Sequence, residues 1–301
     1  MLDFRMETFL EVCRDMNYTR AAKRLNLTQP AVSQHIRWLE EAYGTQLFSY
    51  QGKKLQLTRA GELLKNSAAT MQHDIFSLKE RMQESTGRQR ILKMGLTLTI
   101  AEFEIPKRIA AYLNRDASVS MRLSVGNTRK LLRELEEGTI DFALEEGNFP
   151  REIYHHELYT QERYIAVCAA GDPLAEGSHY MEELLGKRLI IREAGSGSRN
   201  ILERYLEMKS LEAASFSALV EAGSIGLIKR LVEYGCGITF LYETAVREEL
   251  KAGRLREIRL RDMHIVHDFT FIWRENSIFG EDYRTICEMF GKTQIAAAGK
   301  D

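Results

Sequence analysis

The sequence predicts an α/β protein that opens with a winged helix-turn-helix and continues as two α/β lobes. Three observations predict it. Two short helical patterns joined by a tight turn, with a hairpin pattern after them, begin the chain. One long helix with heptad spacing comes next. After residue 90, short apolar strands alternate with amphipathic helical stretches.

Phe4, Phe9, Leu10, Val12 and Cys13 recur at helical spacing and predict a helix over residues 3–16. Thr19 to Leu25 reads as a second short helix, and Asn26-Leu27 as the turn behind it. Asparagine adopts the left-handed conformation that such a turn needs. Thr28 is a natural N-cap for a third helix from Gln29 to about Tyr43, with Pro30 tolerated in its first turn. Gly44 stops that helix. Ala22 is the small residue where two helices touch, and Val32 and Ile36 pack back into the corner. The unit spans about Tyr18 to Arg37. Phe48 to Leu57 reads as two short strands around Gln51-Gly52-Lys53-Lys54.

Thr58 to Gly61 opens the long helix. Leu64, Ala68, Met71, Ile75, Leu78 and Met82 form an a/d seam, which predicts a two-helix contact between subunits. The alternative is a helix lying on its own domain. The polar flank of Lys65, Gln72, His73, Lys79 and Glu80 favours the seam. Ser85 to Arg88 ends the helix and makes a hinge. The boundaries expected are 1–60 for the winged head, 61–88 for the linker helix and 89–301 for the body.

In the body, strands are expected at Ile91–Leu96, Met121–Val125, Phe142–Leu144, Tyr164–Val167, Leu189–Ile191, Phe216–Val220, Ile238–Leu241 and Phe269–Trp273. Helices fit at Pro106–Leu113, Arg129–Glu137, Asn200–Met208, Ile225–Glu233 and Tyr242–Ala252. This order implies parallel sheets with covering helices, and the region is long enough for two lobes.

Composition narrows the partners. Residues 1–90 hold 14 Lys and Arg against 10 Asp and Glu, leaving 28 against 33 for the rest. A basic front and an acidic back suit a head that meets DNA and a body that does not. No stretch approaches the ~18 apolar residues that span a membrane. Met1 to Phe4 lack the features of a signal peptide, so a cytoplasmic protein is expected. Cys13, Cys168, Cys236 and Cys287 show no CxxC spacing, so they read as small core residues. No cofactor and no metal is expected. His264 with His267, and His155 with His156, lack an evident third ligand and read as surface or hinge residues.

The third helix turns Gln29, Ser33, Gln34 and Arg37 away from its buried side. Its N-terminal end is the part that enters a major groove. Glutamine reads adenine bidentately, and serine bonds at a base edge. Thr28 and the helix N-terminus suit a phosphate. Lys53 and Lys54, at the hairpin tip, suit the DNA backbone or the minor groove. Arg20 and Lys23 are further phosphate candidates.

In the body, four polar segments fall at strand-to-helix turns: Thr97 to Ile100, Gly126 to Thr128, Glu193 to Arg199 and Gly223 to Ile225. Strand carboxyl ends are where open α/β sheets bind ligands, and helix N-termini with hydroxyl donors favour anions. Arg199 adds a charge-assisted donor for a carboxylate. Singly, each Ser or Thr reads as a helix cap; convergence on one cleft favours a small anion site. No nucleophile elbow, dinucleotide motif or acid/base pair argues for an enzyme.

The run Phe9 to Cys13, Tyr18 to Glu40, Gly44 to Phe48 and Leu57 to Gly61 resembles the LysR-type transcriptional regulators, nearly continuously over the first 61 residues. The resemblance implies base or groove contacts at Gln29, Pro30, Ser33 and Gln34, and a wing contact at Lys53. Tyr50 departs from the Arg that the family often carries there. The resemblance also implies a homodimer or homotetramer built through the 61–88 helix. A two-fold dimer reads an inverted repeat of double-stranded DNA. RNA polymerase is a further partner for such a regulator. The body is then similar to periplasmic solute-binding proteins, with two lobes closing over an effector. Its crossings fall near Gln161 and Asp268, giving lobe I about 89–161 and 269–295, and lobe II about 162–268. The implied effector positions are Thr97, Thr99, Asn127, Thr128, Ser196, Ser198 and Ser224. The Arg192–Arg199 segment resembles an Arg-Glu-x-Gly-Ser-Gly-Ser/Thr-Arg pattern of one branch, some members of which are linked to sulfur or selenium assimilation. A peroxide-sensing member would need a cysteine pair in lobe II, where Cys168 and Cys236 read instead as a strand residue and a packed turn.

Overall fold

The computed structural model describes residues 2–84, 91–115 and 119–291. The head begins with α1 (Phe4–Asp15), α2 (Tyr18–Leu25) and α3 (Gln29–Tyr43). Side chains cap these helices where amides are otherwise unpaired. Asn17 accepts from the Arg20 amide at 3.0 Å, and Thr28 from the Ala31 amide at 3.3 Å. Asn26 closes α2 at φ +55°, and Gly44 closes α3 at φ +65°. Ala22, Val32, Ile36 and Leu39 are buried with Phe9 and Val12 of α1. The antiparallel hairpin β1 (Phe48–Gln51) and β2 (Lys54–Leu57) forms the wing. Thr58 then caps α4 (Arg59–Glu84) by accepting from the Gly61 amide. The expected hinge at Ser85 to Arg88 lies outside the described residues.

Lobe I holds β3 (Ile91–Thr97), a π-helical turn at Ile100–Glu104, α5 (Pro106–Arg115), β4 (Ser120–Gly126), α6 (Thr128–Glu137) and β5 (Phe142–Glu145). β3 runs parallel to β4 and β5. The chain then crosses on β6 (Tyr154–Ala169). Lobe II holds β7 (Arg188–Arg192), α7 (Gly197–Met208), β8 (Ala218–Ala222), α8 (Ile225–Glu233), β9 (Thr239–Tyr242), α9 (Glu243–Lys251) and β10 (Leu255–Ile258). β11 (Ile265–Arg274) returns to lobe I, where α10 (Gly280–Phe290) packs on α5.

The expectation of parallel sheets needs correction. The main sheet is mixed, in the order β10-β6-β11-β5-β3-β4, with β9 also on β6. β6 and β11 pair antiparallel from Tyr164↔Ile265 to Tyr154↔Arg274. A chain that leaves one lobe and comes back must run both ways across the join, so its two crossings are antiparallel. Gln161 and Asp268 are cross-strand partners here, and the Gln161 amide donates to Asp268 Oδ1 at 2.9 Å. The expected strand Tyr164–Val167 is the end of a 16-residue strand. Its earlier half mixes buried, half-buried and exposed residues, so a search for apolar runs misses it. β10, α10 and the π-helical turn lie outside the sequence expectation.

α4 also packs within its own chain. Leu64 and Ala68 pack into the head core. Met71, Leu78 and Met82 remain exposed. The polar flank counted in favour of the seam, yet its His73 is 0 % exposed and lies against lobe I. His73 Nε2 meets the Ile140 carbonyl at 3.2 Å. Ser77 donates to Asp141 Oδ1 at 3.4 Å, and Asp74 accepts from the Ile278 amide at 3.0 Å. Arg274 of β11 donates to the Asn66 carbonyl at 2.7 Å and to Thr70 Oγ1 at 3.2 Å. The physical reason is supply: lobe I offers fixed acceptors and donors, so polar side chains bury without losing partners.

Arg274 is 1 % exposed, so removing it strips a buried joint of its donors. Arg274→Ala should lower stability by about 2–4 kcal/mol, read as a fall in the urea midpoint. An unshifted midpoint would show that α4 is not held by this strip.

Candidate functional site: a DNA-reading helix and an interlobe cleft

α3 is anchored by one face and open on the other. Val32, Ile36 and Leu39 are buried, while Gln29, Pro30, Gln34 and Arg37 are exposed and Ser33 is half-buried. The Gln29 amide donates to Ser33 Oγ at 2.9 Å, which fixes two polar groups one helical turn apart. His35 Nδ1 lies 2.9 Å from Thr8 Oγ1 and so braces α3 on α1. Thr28, Arg20, Lys23, Lys53 and Lys54 are exposed, the last two at the hairpin tip. Tyr50 is 67 % exposed on the wing. The helix face is polar and exposed, and the wing tip is exposed and basic.

The strand ends of the body converge between the lobes. Thr97 ends β3 and Thr99 lies just beyond it, and Asn127 and Thr128 start α6. Asn127 caps α6 through the Lys130 amide at 3.0 Å. Ser196 caps α7 through the Arg199 amide at 3.1 Å, and its hydroxyl lies 3.3 Å from Ser198 Oγ. Tyr164 donates to the Ser198 carbonyl at 2.8 Å. The lobes touch at Gly197. A Cβ there would stand 3.1 Å from Gly147 Cα and 3.3 Å from Glu146 Cγ, so any larger residue would push the lobes apart by a few tenths of an ångström.

The sequence reading missed the centre of this cleft. Glu145 and Glu146, at the end of β5, are 1 % and 3 % exposed. Glu146 accepts from Thr97 Oγ1, and from Thr99 Oγ1 at 3.2 Å. Glu145 accepts from Thr128 Oγ1 at 2.8 Å and from the Gly147 amide at 2.9 Å. Burial pushes the Glu145 carboxyl up to about 7, and it raises Glu146 as well. The Thr128 hydroxyl opposes the rise at Glu145; for Glu146 the hydroxyls and the Arg192 charge oppose it. The rule that selected the other turns, polar residues at a strand's carboxyl end, also points to Glu145-Glu146-Gly147.

Two expected effector contacts change. Arg199 was expected to hold an anion. Its guanidinium instead donates to Glu203 at 2.6 Å, Glu221 at 2.5 Å and the Arg192 carbonyl at 3.1 Å. Two neighbouring carboxylates meet its charge first. Ser224 is exposed, and its hydroxyl accepts from the Leu227 amide at 3.2 Å as the cap of α8. Arg192 is the buried cation of this region, bonded through Nε and Nη2 to Glu193 at 2.8 and 2.9 Å.

The remaining candidates resolve simply. His267 Nδ1 lies 3.3 Å from the Tyr242 hydroxyl, and burial lowers its pKa. Among the described residues, no group of three His, Cys, Asp or Glu is placed to hold a metal. Cys168 and Cys236 are unbridged and lie in separate apolar clusters. Burial pushes the Cys168 thiol up to about 11, away from the thiolate that peroxide chemistry needs. No described helix is long and apolar enough to cross a membrane.

A helix-turn-helix head joined to a two-lobed ligand-binding body defines a DNA-binding, effector-responsive transcription regulator. Residues 4–62 match the bacterial regulatory helix-turn-helix proteins of the lysR family, and residues 85–291 match the LysR substrate binding domain. The chain belongs to the LysR family, whose members are transcription regulators and not enzymes. It is 30% identical over 254 residues to the HTH-type transcriptional regulator YeiE of Escherichia coli, covering 84% of this chain and 85% of that one. The H2O2-bound OxyR of Corynebacterium glutamicum shares the fold at TM-score 0.59 and 22% identity, over 95% of this chain and 90% of that one. The regulatory domain of Synechocystis CcmR, solved with 2-PG, does so at TM-score 0.60 and 18% identity, over 68% of this chain and 98% of that one.

Glu145 makes the fold pH-sensitive. Its carboxyl is raised from 4.5 to about 7, so the unfolded chain ionises first as pH rises. The contribution of this group is full below about 4.5 and lost by about 7. Glu145→Gln should flatten that part of a melting-temperature profile measured from pH 5 to 8. A profile unchanged by the substitution would contradict the assignment.

Proposed function

We propose that this protein switches transcription by reading a two-fold DNA operator with paired copies of α3 and the wing tip, under the control of a small anion held between its lobes. The observation that carries the reading is α3 itself: one face is locked into the head, and its exposed face and first turn offer Gln29, Pro30, Ser33, Gln34 and Arg37 to a groove. Gln34 and Gln29 suit adenine, Ser33 suits a base edge, and Arg37 suits a base or a phosphate. Thr28 with the N-terminus of α3 suits a phosphate, and Lys53 and Lys54 suit the backbone beside it. The basic charge of residues 1–90 supports the same assignment.

Pairing of heads follows from α4. Met71, Leu78 and Met82 are apolar and exposed on a helix whose polar strip is already covered by lobe I. A second α4 fits that remaining stripe, giving a dimer that pairs further into a tetramer. RNA polymerase is the downstream partner in this reading, and the DNA partner places the protein in the bacterial cytoplasm.

For the effector, Thr97, Thr99, Asn127, Thr128, Ser196 and Ser198 bring hydroxyls and two helix N-termini to one cleft, a donor set that suits an anion. The 2-PG named with CcmR supports a small effector of this kind. The Arg192 to Arg199 segment supports membership of the branch that carries the same pattern.

The test is a fluorescence titration of DNA from upstream of the gene against scrambled DNA. Affinity should fall steeply with salt, as phosphate contacts require. Replacing Ser33 and Gln34 by alanine should cost about 1–3 kcal/mol per lost base contact and erase the preference, without changing the melting temperature. Discrimination equal to wild type would reject the residue assignment.

A further inference from the structure

We propose that Glu146 is a built-in occupant of the effector cradle: its carboxylate takes the hydroxyls that an effector's carboxylate would take, so an anionic effector binds by exchange with it. The inference rests on reading the interlobe cleft as the effector site.

Thr97 and Thr99 are 2 % and 1 % exposed, and each hydroxyl donates to a different oxygen of Glu146. A carboxylate is therefore bound bidentately, as a free carboxylate ligand would be. The carboxylate comes from lobe I itself. Tyr242 donates to the Glu146 carbonyl at 3.4 Å, which holds the backbone beneath the side chain. Lobe II closes the other side through Gly197, where a Cβ would stand 3.3 Å from Glu146 Cγ. The arrangement is a closed cleft with an anion inside, assembled from one chain.

The occupant is held without a direct counter-ion. Arg192 acts on Glu146 only through its field, because its guanidinium is hydrogen-bonded to Glu193. A buried carboxylate met by two hydroxyls and its own backbone amide, with no cation bonded to it, is costly, and burial accordingly raises its affinity for a proton. An anion entering the cradle would take over the two hydroxyl bonds that Glu146 now accepts. A cationic effector fits less well. Hydroxyl donors and the positive ends of α6 and α7 face the cleft, and both Glu146 oxygens already accept bonds.

Glu146→Ala deletes an acetate-sized fragment, so acetate is the probe. Full-length wild type, E146A, and E146A combined with T97V and T99V are melted in sodium acetate and in sodium chloride of equal ionic strength. E146A should show a saturable rise in melting temperature with acetate, and wild type should not. The combined variant should lose the response. E146Q keeps the shape and removes the charge. It should bind acetate at least about threefold more tightly than wild type, which keeps the question open to test if E146A does not fold.

Indifference of both E146A and E146Q to acetate would overturn the proposal, as would a response to methylammonium that needs Glu146. The two readings separate cleanly in a screen of small anions against wild type. If an anion stabilises wild type through Thr97 and Thr99 while the Glu146 variants ignore acetate, the cleft is the effector site and Glu146 is not its occupant. If anion responses do not depend on Thr97 and Thr99 at all, the cleft reading itself fails.

Discussion

The antiparallel ladder between β6 and β11 is the constraint on which the rest of the body depends. It runs unbroken through both lobes except for one irregularity between Phe269 and Thr270, beside the Gln161–Asp268 pair. β5 joins the lobe I half, while β9 and β10 join the lobe II half. Lobe movement is therefore restricted to bending and twisting of a two-stranded ribbon. A bulge at the join suits that role, because it loosens the ladder locally and adds twist without breaking the strands. The apolar cluster that extends from Phe142 through Phe269 to Leu189 resists wide separation for the same reason.

The second organising element is β5. Just before it, Ile140 and Asp141 receive His73 and Ser77 of α4. Its far end delivers Glu145 and Glu146 to the cleft. Four strand residues, roughly 13 Å at the usual rise, separate the seat of the linker helix from the centre of the cleft. Arg274 of β11 grips α4 from the neighbouring strand. The head is thus coupled to the lobes through buried hydrogen bonds, supplemented by an exposed Arg14–Glu137 pair at 3.2 Å. Buried polar joints of this kind have few alternative arrangements, since each shift leaves a group unpaired.

The cleft explains why the residue pattern there was only partly legible. Thr97, Thr99, Thr128 and Ser196 were selected because they stand at strand ends, and the structure does bring them to one region. What their hydroxyls bond to was not readable. Thr97 and Thr99 meet Glu146, Thr128 meets Glu145, and Ser224 meets only its own helix. Arg199 looked like an anion ligand because its partners, Glu203 and Glu221, lie four and twenty-two residues further along. The Glu203 pair is an ordinary one-turn helix pair, but the pairing with Glu221 depends on which faces pack, and the pattern of one segment does not carry it.

By itself the sequence determined the local elements of the head: caps at Thr28 and Asn26, the stop at Gly44, and the buried triad of Ala22, Val32 and Ile36. These follow from bonds and periodicities within a few residues, so neighbouring positions suffice to specify them. It also determined the family, through a nearly continuous run of such local features. Only the tertiary structure decided the long crossing strand, the burial of His73, the displacement of Arg199 and the carboxylate of Glu146 in the cradle. Each of those depends at least in part on a partner beyond its own segment, such as Glu221 for Arg199 and Thr97 for Glu146, and a buried polar group is stable only where that partner arrives.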